Sequence, residues 1–586
     1  MANLGEIHRM DYALDRFEQQ VRDAITADGR VAKAQVELAT PKPNIPADLA
    51  FPAFRAAKEL GIAPPALAQE LASSAKFGAE SLIGGVTATG PFLNFSIDNT
   101  KLVAAVLSEI EEMSERYGTD DLGKQQTVIV EYSSPNVAKR MHVGHIRTTI
   151  IGQSLFNIIK ALGYNAISDN HLGDWGKQFG ILLLAIEREG KPDGNGEQAV
   201  EKLEGLYSRY SSLVKEDAAL DDAARAWSLK LEQGDPTART LWEWCVEQTM
   251  QYINPLYDRL GVHFDTTIGE SFFEDKMDEV IEKALATEYA HRDENGAVVV
   301  DLPDLPTFLL QRSDGGTLYQ TRDVATVAYR EREYAPLRVI YVVDSRQELH
   351  FRQVFAAARA LNLAGDMELI HISFGTVFDA NGEPFSTRKG NMIFLEALLN
   401  EARDRARTVV DRASADLPEA EKDAVAEAVG TGAVIYNDLY QDSKRNITLD
   451  WDRMLSTEGN SATYIQYMHA RACSILRRAN ASEILGKRSL AEDAALLSHE
   501  SEIGLIKQLA RLPKSIREAG DRYAPFVIAE WCYGTARAFS SFYNECPVIN
   551  AESAELRAAR LRLVAASAQA LKNGLALLGI KAPERM

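Results

Sequence analysis

The run Thr127 to Val130, TVIV, is apolar, rich in β-branched residues and too short for a helix. It predicts a buried strand of a parallel sheet. The polar loop SSPNVAKRM follows, and its Pro135 disfavours helix at Ser134. After His142-Val143-Gly144-His145, apolar residues recur at helical spacing: Ile146, Ile150, Ile151, Leu155, Ile158, Ile159 and Leu162. Gly163 is placed to cap that helix. Asn165 to Ser168 reads as a second strand leading into HLGDWG. The right-handed crossover of such a βαβ unit puts the loop at the carboxyl end of the strand, where open α/β sheets bind ligands.

The rest of the chain divides by the same patterns. Residues 1–115 predict a small α+β domain: an amphipathic helix, two short helices (FRAAKELG, PALAQELASSA) and a hairpin in GGVTATGPFLNFSI. Residues 116–400 predict a Rossmann-type parallel-sheet domain with a charged helical insertion at about 190–260. In its second half NGAVVVDLP and PTFLLQRSDGGTLYQTRDVA read as strands joined by turns. LRVIYVV reads as a buried strand, DSRQELHFRQVFAAARALN as a helix, and MELIHISFGTVFD as one or two strands. Residues 401–450 predict a helical connector, and 451–586 an all-α bundle. The expected fold class is therefore α/β, with a small α+β domain before the sheet and a helical domain after it.

The 586 residues are 46% hydrophobic and 25% charged, the balance of a globular protein. No apolar run reaches the length of a membrane helix, and the N-terminus lacks a signal core. The cysteines, Cys245, Cys473, Cys532 and Cys546, show no CxxC pairing. They predict neither disulfides nor a zinc site, and favour a reducing cytoplasm. Net charge is −20, yet from Trp451 onward there are 18 Lys+Arg against 14 Asp+Glu. A mildly basic terminal domain on an acidic body is compatible with local nucleic-acid contact, although ordinary surface scatter gives the same split.

The candidate chemistry gathers at the first βα loop. His142, Gly144 and His145 open a helix whose free N–H groups and dipole favour phosphate, and glycine admits a close ligand. The same string also suits an ordinary loop with two surface histidines. Gly173, Asp174 and Gly176 form a tight loop before a helix, either a simple cap or a second wall for a ribose or base. FSTRKGNM is a cationic loop before a helix, either plain surface or a phosphate clamp. In NSATYIQYMHARACSILRRA, Tyr464, Met468, Ala472 and Ile475 share one face and arginines lie elsewhere. Aromatic residues beside arginines suit unpaired bases, as they also suit a core.

Taken together, SSPNVAKRMHVGH, NHLGDWGKQFG, LYQTRDVA, SRQELHF, FSTRKGNMI, YIQYMHARACSILRR and the ending GLALLGIKAPERM resemble class I arginyl-tRNA synthetases over essentially the whole length. The resemblance implies two steps. Arginine attacks the α-phosphorus of Mg·ATP, and a ribose hydroxyl of the terminal adenosine of tRNA(Arg) then attacks the arginyl-adenylate. It implies an N-terminal domain at the tRNA elbow and a C-terminal anticodon-binding domain, with Tyr464, Tyr467, Arg471, Arg478 and Met586 as tRNA contacts. It also implies a monomer without a structural metal. HVGH stands where the family has HIGH. His142 and His145 are expected on the triphosphate and Gly144 beside the adenine, with Gly173, Asp174 and Ser386 completing the ATP site. The second family signature, KMSKS, is replaced by Pro384-Phe385-Ser386-Thr387-Arg388-Lys389-Gly390. Its lysines are missing, so Lys139 is expected as the main phosphate clamp, assisted by Arg388 or Lys389.

A guanidinium substrate needs carboxylates and planar acceptors in fork geometry. Glu131, Tyr319, Asp323 and Gln347 are candidates. The resemblance places the family's arginine site at these positions and puts Asn136 and His142 at the amino and carboxylate end. Salt bridging within the fold is the alternative for Glu131 and Asp323. A small-molecule nucleotidyltransferase shares the HxGH loop but leaves the helical third unexplained. A cysteine-specific relative would need thiolate zinc ligands. A non-catalytic RNA-binding paralogue would not need the intact histidines.

Overall fold

At the centre of the protein, where Val128 to Val130 and Val339 to Val342 are buried runs, lie five strands. In this computed structural model, which describes residues 11–42, 44–385, 392–413 and 417–586, they form one parallel sheet. Across the sheet they run Glu368–Phe374, Arg338–Asp344, Thr127–Glu131, Asn165–Asn170 and Thr266–Thr267. Numbered along the chain this order is 5-4-1-2-3, so the winding reverses between Thr127–Glu131 and Arg338–Asp344. That reversal opens a crevice at the strands' carboxyl ends.

The predicted strand–helix–strand unit is present. Helix Val143–Ala161 crosses from Thr127–Glu131 to Asn165–Asn170, and Gly163 follows it at φ 81°. Gly152 lets the helix lie directly on the sheet, because a Cβ there would stand 2.2 Å from Cβ of Tyr132. The insertion folds as three helices, Glu197–Glu216, Ala218–Glu232 and Pro236–Leu260. They pack with Lys177–Glu189 around Trp227, Leu203 and Cys245, and the same small core takes in Val137 and Ala138 of the first βα loop.

One expectation is overturned. LYQTRDVA is not a strand but the start of helix Tyr319–Tyr334. The strand Phe308–Gln311 ends at the Gly315–Gly316 turn, and Thr321 then takes over the capping work. Its Oγ1 accepts from the Leu318 N–H at 3.2 Å and donates to the Leu310 carbonyl at 2.5 Å. Val324, Ala325 and Val327 are buried behind it.

The N-terminal domain carries helices Ala13–Thr26 and Asn99–Met113 on an antiparallel sheet of Leu49–Pro52, Phe92–Ile97 and Ile83–Thr89. The C-terminal third is helical, built on Ala462–Ala479, Phe526–Glu545 and Ala554–Leu577. These parts share one apolar core that includes Phe17, Val128, Ile158, Leu563 and Ile580. Polar ties cross the same boundaries. Arg517 pairs with Asp15 at 2.6 Å and Asp120 at 2.8 Å, and Tyr117 Oη donates to the Leu509 carbonyl at 3.1 Å. Among the described residues no helix is long and apolar enough to cross a membrane.

Candidate active site

The crevice at the winding reversal is a cleft of about 690 Å³. Ser133, Ser134 and Asn136 line it from the first βα loop, His142 to His145 from the helix start, and Val342 to Gln347, in part, from the fourth strand's end. Thr148 holds its two sides together. Its Oγ1 donates to the Val342 carbonyl at 2.6 Å and accepts from the Ser133 N–H at 3.1 Å.

The first loop is locally strained. Ser133, Ser134 and Ala138 have φ of 70°, 47° and 60°, in a region L-residues avoid. Surrounding groups impose the conformation. Ser133 Oγ meets Tyr257 Oη at 2.7 Å, the Ser134 N–H donates to Asn170 Oδ1 at 3.2 Å, and the Ala138 N–H donates to Thr249 Oγ1 at 2.9 Å. The insertion helix thus supplies two of the three restraints, Tyr257 and Thr249.

The histidine rings cap the start of the helix. His142 Nδ1 accepts from the Gly144 N–H at 3.1 Å, and His145 Nδ1 accepts from the His142 N–H at 3.0 Å. An Nδ1 that accepts carries no proton, so each neutral ring keeps its proton on Nε2 as an outward donor. The rings lie 3.9 Å apart. Burial lowers the proton affinity of both. For His142 the charge of Arg346 adds to this, and for His145 the neighbouring His142 and Lys139 do, bringing its pKa to about 3. A Cβ at Gly144 would sit 2.9 Å from His142 Cε1, so glycine there keeps the ring in place.

The floor is Arg147. Its guanidinium donates from Nε and Nη2 to the two oxygens of Asp438, at 2.8 and 2.7 Å, and to the carbonyls of Arg445 and Ser443. The far wall is the segment after the second signature loop. The Val143 N–H donates to the Ile393 carbonyl and the Leu395 N–H to the Met141 carbonyl, each at 2.9 Å.

The expected residues fall into groups. Asn136, His142, Gly144, His145 and Gln347 line the cleft. Tyr319 and Asp323 cluster with His350, three residues beyond Gln347: Asp323 Oδ2 lies 2.6 Å from His350 Nε2, and the Tyr319 ring lies 4.9 Å from the imidazole. Glu131 is engaged within the fold. Its Oε2 accepts from the buried Arg330 at 2.6 Å, and Arg330 also pairs with Asp169 at 2.5 Å. Two carboxylates against one guanidinium leave one negative charge in excess beside the crevice.

Gly173 and Asp174 lie outside the cleft lining and bond to the scaffold. The Gly173 N–H donates to Pro135 and its carbonyl accepts from Val137, each at 3.0 Å, and a Cβ there would meet Asn136 Oδ1 at 2.5 Å. The buried Asp174 carboxylate accepts from Ser271 N–H at 2.8 Å and Oγ at 2.7 Å. Lys139 lies outside the cleft lining, its ammonium 5.5 Å from the Tyr207 ring centre. Ser386, Arg388 and Lys389 lie outside the described residues. Three residues escaped the sequence reading: Arg346, His350 and Arg330. SRQELHF held the signal for the first two, being polar residues directly after a buried strand.

A second cleft, of about 640 Å³, opens in the C-terminal helices between Tyr467, Arg471, Arg478, Tyr543, Arg585 and Met586. The Arg471 guanidinium lies 4.8 Å from the Tyr467 ring centre and 5.1 Å from that of Tyr543. Tyr464 stands apart, edge-on to Tyr533.

This arrangement has relatives. Residues 106–451 match the model of the class I (R) tRNA synthetase catalytic domain. Residues 465–586 match the DALR anticodon binding domain, and 14–97 the arginyl-tRNA synthetase N-terminal domain. An arginine–tRNA ligase of Chloroflexus aggregans is 60% identical over 98% of this chain and 100% of its own length. The chain belongs to the class I arginyl-tRNA synthetase family. An arginine–tRNA ligase of Clostridium perfringens is 40% identical over 93% of this chain and 95% of its own. In fold, the arginyl-tRNA synthetase of Thermus thermophilus superposes with a TM-score of 0.77 at 24% identity, covering 97% of this chain and 100% of that one.

Proposed function

We propose that this protein ligates L-arginine to tRNA(Arg) with consumption of ATP, through arginyl-adenylate, in the cleft at the winding reversal. The observation that carries the reading is the capping of the helix start by His142 and His145, whose Nδ1 atoms accept the Gly144 and His142 N–H groups. It aims two neutral Nε2–H donors from a helix start, and an in-line displacement at phosphorus needs positioned donors more than a proton-transfer residue. In the first step the arginine carboxylate attacks the α-phosphorus of Mg·ATP and pyrophosphate leaves. His142 and His145 hold the phosphates without acquiring charge, and Asn136 and His142 take the amino and carboxylate end of arginine. Gln347, Asp323 and Tyr319 take its guanidinium. Glu131, tied to Arg330, contributes negative charge from beneath.

Lys139 is the principal phosphate clamp of this reading. Its ammonium has to leave Tyr207 to reach the cleft, a rotation within the reach of a flexible four-carbon stem. Arg388 or Lys389 assists from the second loop, and Ser386 with Gly144 completes the nucleotide site. Gly173 and Asp174 border the nucleotide site, Gly173 packed against Asn136 and Asp174 tied to Ser271. In the second step a ribose hydroxyl of the tRNA's terminal adenosine attacks the adenylate carbonyl and AMP leaves. Tyr464, Tyr467, Arg471, Arg478 and Met586 form the anticodon-side contact. Magnesium arrives with the nucleotide, and the protein works as a cytoplasmic monomer away from membranes.

The test is ATP–pyrophosphate exchange with each amino acid, with and without bulk tRNA. Exchange stimulated by arginine alone among the amino acids is expected. Exchange that arginine does not stimulate even with tRNA present overturns the reading.

A further inference from the structure

Two guanidiniums line the catalytic cleft among the described residues, Arg147 and Arg346. Arg147 is unavailable: its side chain is 1% exposed, and it is consumed by Asp438 and two carbonyls. Arg346 is the opposite case, with its side chain 85% exposed. Its fork is nevertheless held. Nε donates to Asp344 Oδ1 at 2.9 Å and Nη2 to Oδ2 at 2.8 Å, and the same carboxylate accepts the Arg346 N–H at 2.8 Å. Arg346 stands at the end of the fourth strand, across the winding reversal from His142, and its charge reaches that imidazole. The chain lacks the lysines of the second family signature, and Lys139 rests over Tyr207. A polyanion entering this cleft therefore meets one solvent-facing cation among the described lining residues, already oriented.

We propose that Arg346 is a phosphate-binding residue of this reaction, receiving a substrate's phosphate oxyanion on its exposed N–H groups. The proposal deepens the function given above and rests on it. A guanidinium presents five donors, and Asp344 takes two of them, so the outer edge stays free for a second acceptor. An exposed ion pair contributes little, so sharing or releasing Asp344 costs little when a phosphate arrives. The oxyanion has two sources, the triphosphate of ATP or the phosphodiester at the tRNA 3′ end.

Calorimetry on Arg346→Gln and Arg346→Lys separates them. The probes are a magnesium-loaded non-hydrolysable ATP analogue, full-length tRNA(Arg), and the same tRNA lacking its 3′-terminal nucleotides. With ATP as the source, Arg346→Gln binds the analogue at least tenfold more weakly. Arg346→Lys recovers only part of the loss, since it restores charge without the fork. With tRNA as the source, analogue binding is unchanged and the full-length tRNA loses the advantage it has over the shortened one. Wild-type affinity for both ligands in Arg346→Gln overturns the proposal. Arginine-stimulated exchange by the wild-type protein, measured alongside, reports on the underlying function independently of Arg346.

Discussion

Arg147 and Asp438 meet through two parallel hydrogen bonds at 2.8 and 2.7 Å while each side chain is only 1% exposed. Arg147 belongs to the helix that begins with the histidine pair, and Asp438 to the helix Glu419–Leu439 beyond the catalytic sheet. Burial pushes the Asp438 carboxyl up and the arginine beside it pulls it back. Removing one partner leaves the other charge stranded in a dry interior. Asp438→Ala is expected to destabilise the protein by about 3–5 kcal/mol, and the double variant Arg147→Met, Asp438→Leu to recover much of it. Thermal and urea midpoints check this, compared as midpoints because a chain of this size does not unfold in one step.

The histidine pair predicts a pH dependence. The pKa of His145 is about 3 in the folded state against about 6.5 when unfolded. Between those values the unfolded chain binds a proton that the folded chain refuses, so stability rises with pH across that interval. The contribution is fully present above about pH 6.5 and is lost as pH falls toward 3. The wild-type unfolding midpoint should drop on acidification from pH 7 to 5, and less so in His145→Asn. A His145→Asn variant with the same acid slope as wild type contradicts the assignment.

Asp323 is expected to select the guanidinium. Asp323→Ala should raise the KM for arginine more than tenfold while moving that for ATP far less, since a charge-assisted pair contributes about 1.5–3 kcal/mol. Steady-state kinetics with each substrate varied in turn decides it. Equal effects on both constants argue against a guanidinium contact.

Lys139 is expected to act on turnover. Lys139→Ala should depress kcat for adenylate formation by at least tenfold, with little change in arginine binding. Single-turnover pyrophosphate release checks this, and unchanged release kinetics exclude the clamp role.

Arg471 reports on the second cleft. Arg471→Ala should raise the KM for tRNA roughly tenfold, because it removes a charge held between two aromatic rings, while kcat at saturating tRNA stays within about twofold. Aminoacylation across a tRNA concentration series measures it.

Much of this arrangement was legible in the sequence where one physical signal dominated. Burial on both faces makes Val128 to Val130 apolar without interruption, and the stripe from Ile146 to Leu162 predicted its helix because one side packs on the sheet. Helix Tyr319–Tyr334 was misread because short apolar positions flanking Gly315 and Gly316 mimic a hairpin, and the deciding cap, Thr321, bonds to a carbonyl eleven residues earlier. Asp174 reads as a ligand residue because it follows a glycine in a polar loop. Its partner Ser271 is 97 residues away, and no local pattern encodes that. Arg346 passed unnoticed for the opposite reason, since an exposed arginine near a carboxylate is ordinary until the fold sets it at the mouth of the cleft.

The shared core has a consequence for how such a protein can be rearranged. The helix that starts at His142 runs about 28 Å. Its far end is not surface: Ser154 Oγ donates to the Leu577 carbonyl at 3.0 Å, and Leu162 lies so close to Gly520 that a Cβ there would stand 2.2 Å from its Cδ1. The modules seen along the sequence are therefore not separable bodies in space. Exchanging the anticodon-side bundle for one from a distant relative requires recutting Ser154, Asn157, Ile158 and Leu162 to match. A graft that leaves them untouched puts apolar surface of the catalytic helix into water, and the histidines are mounted on that helix.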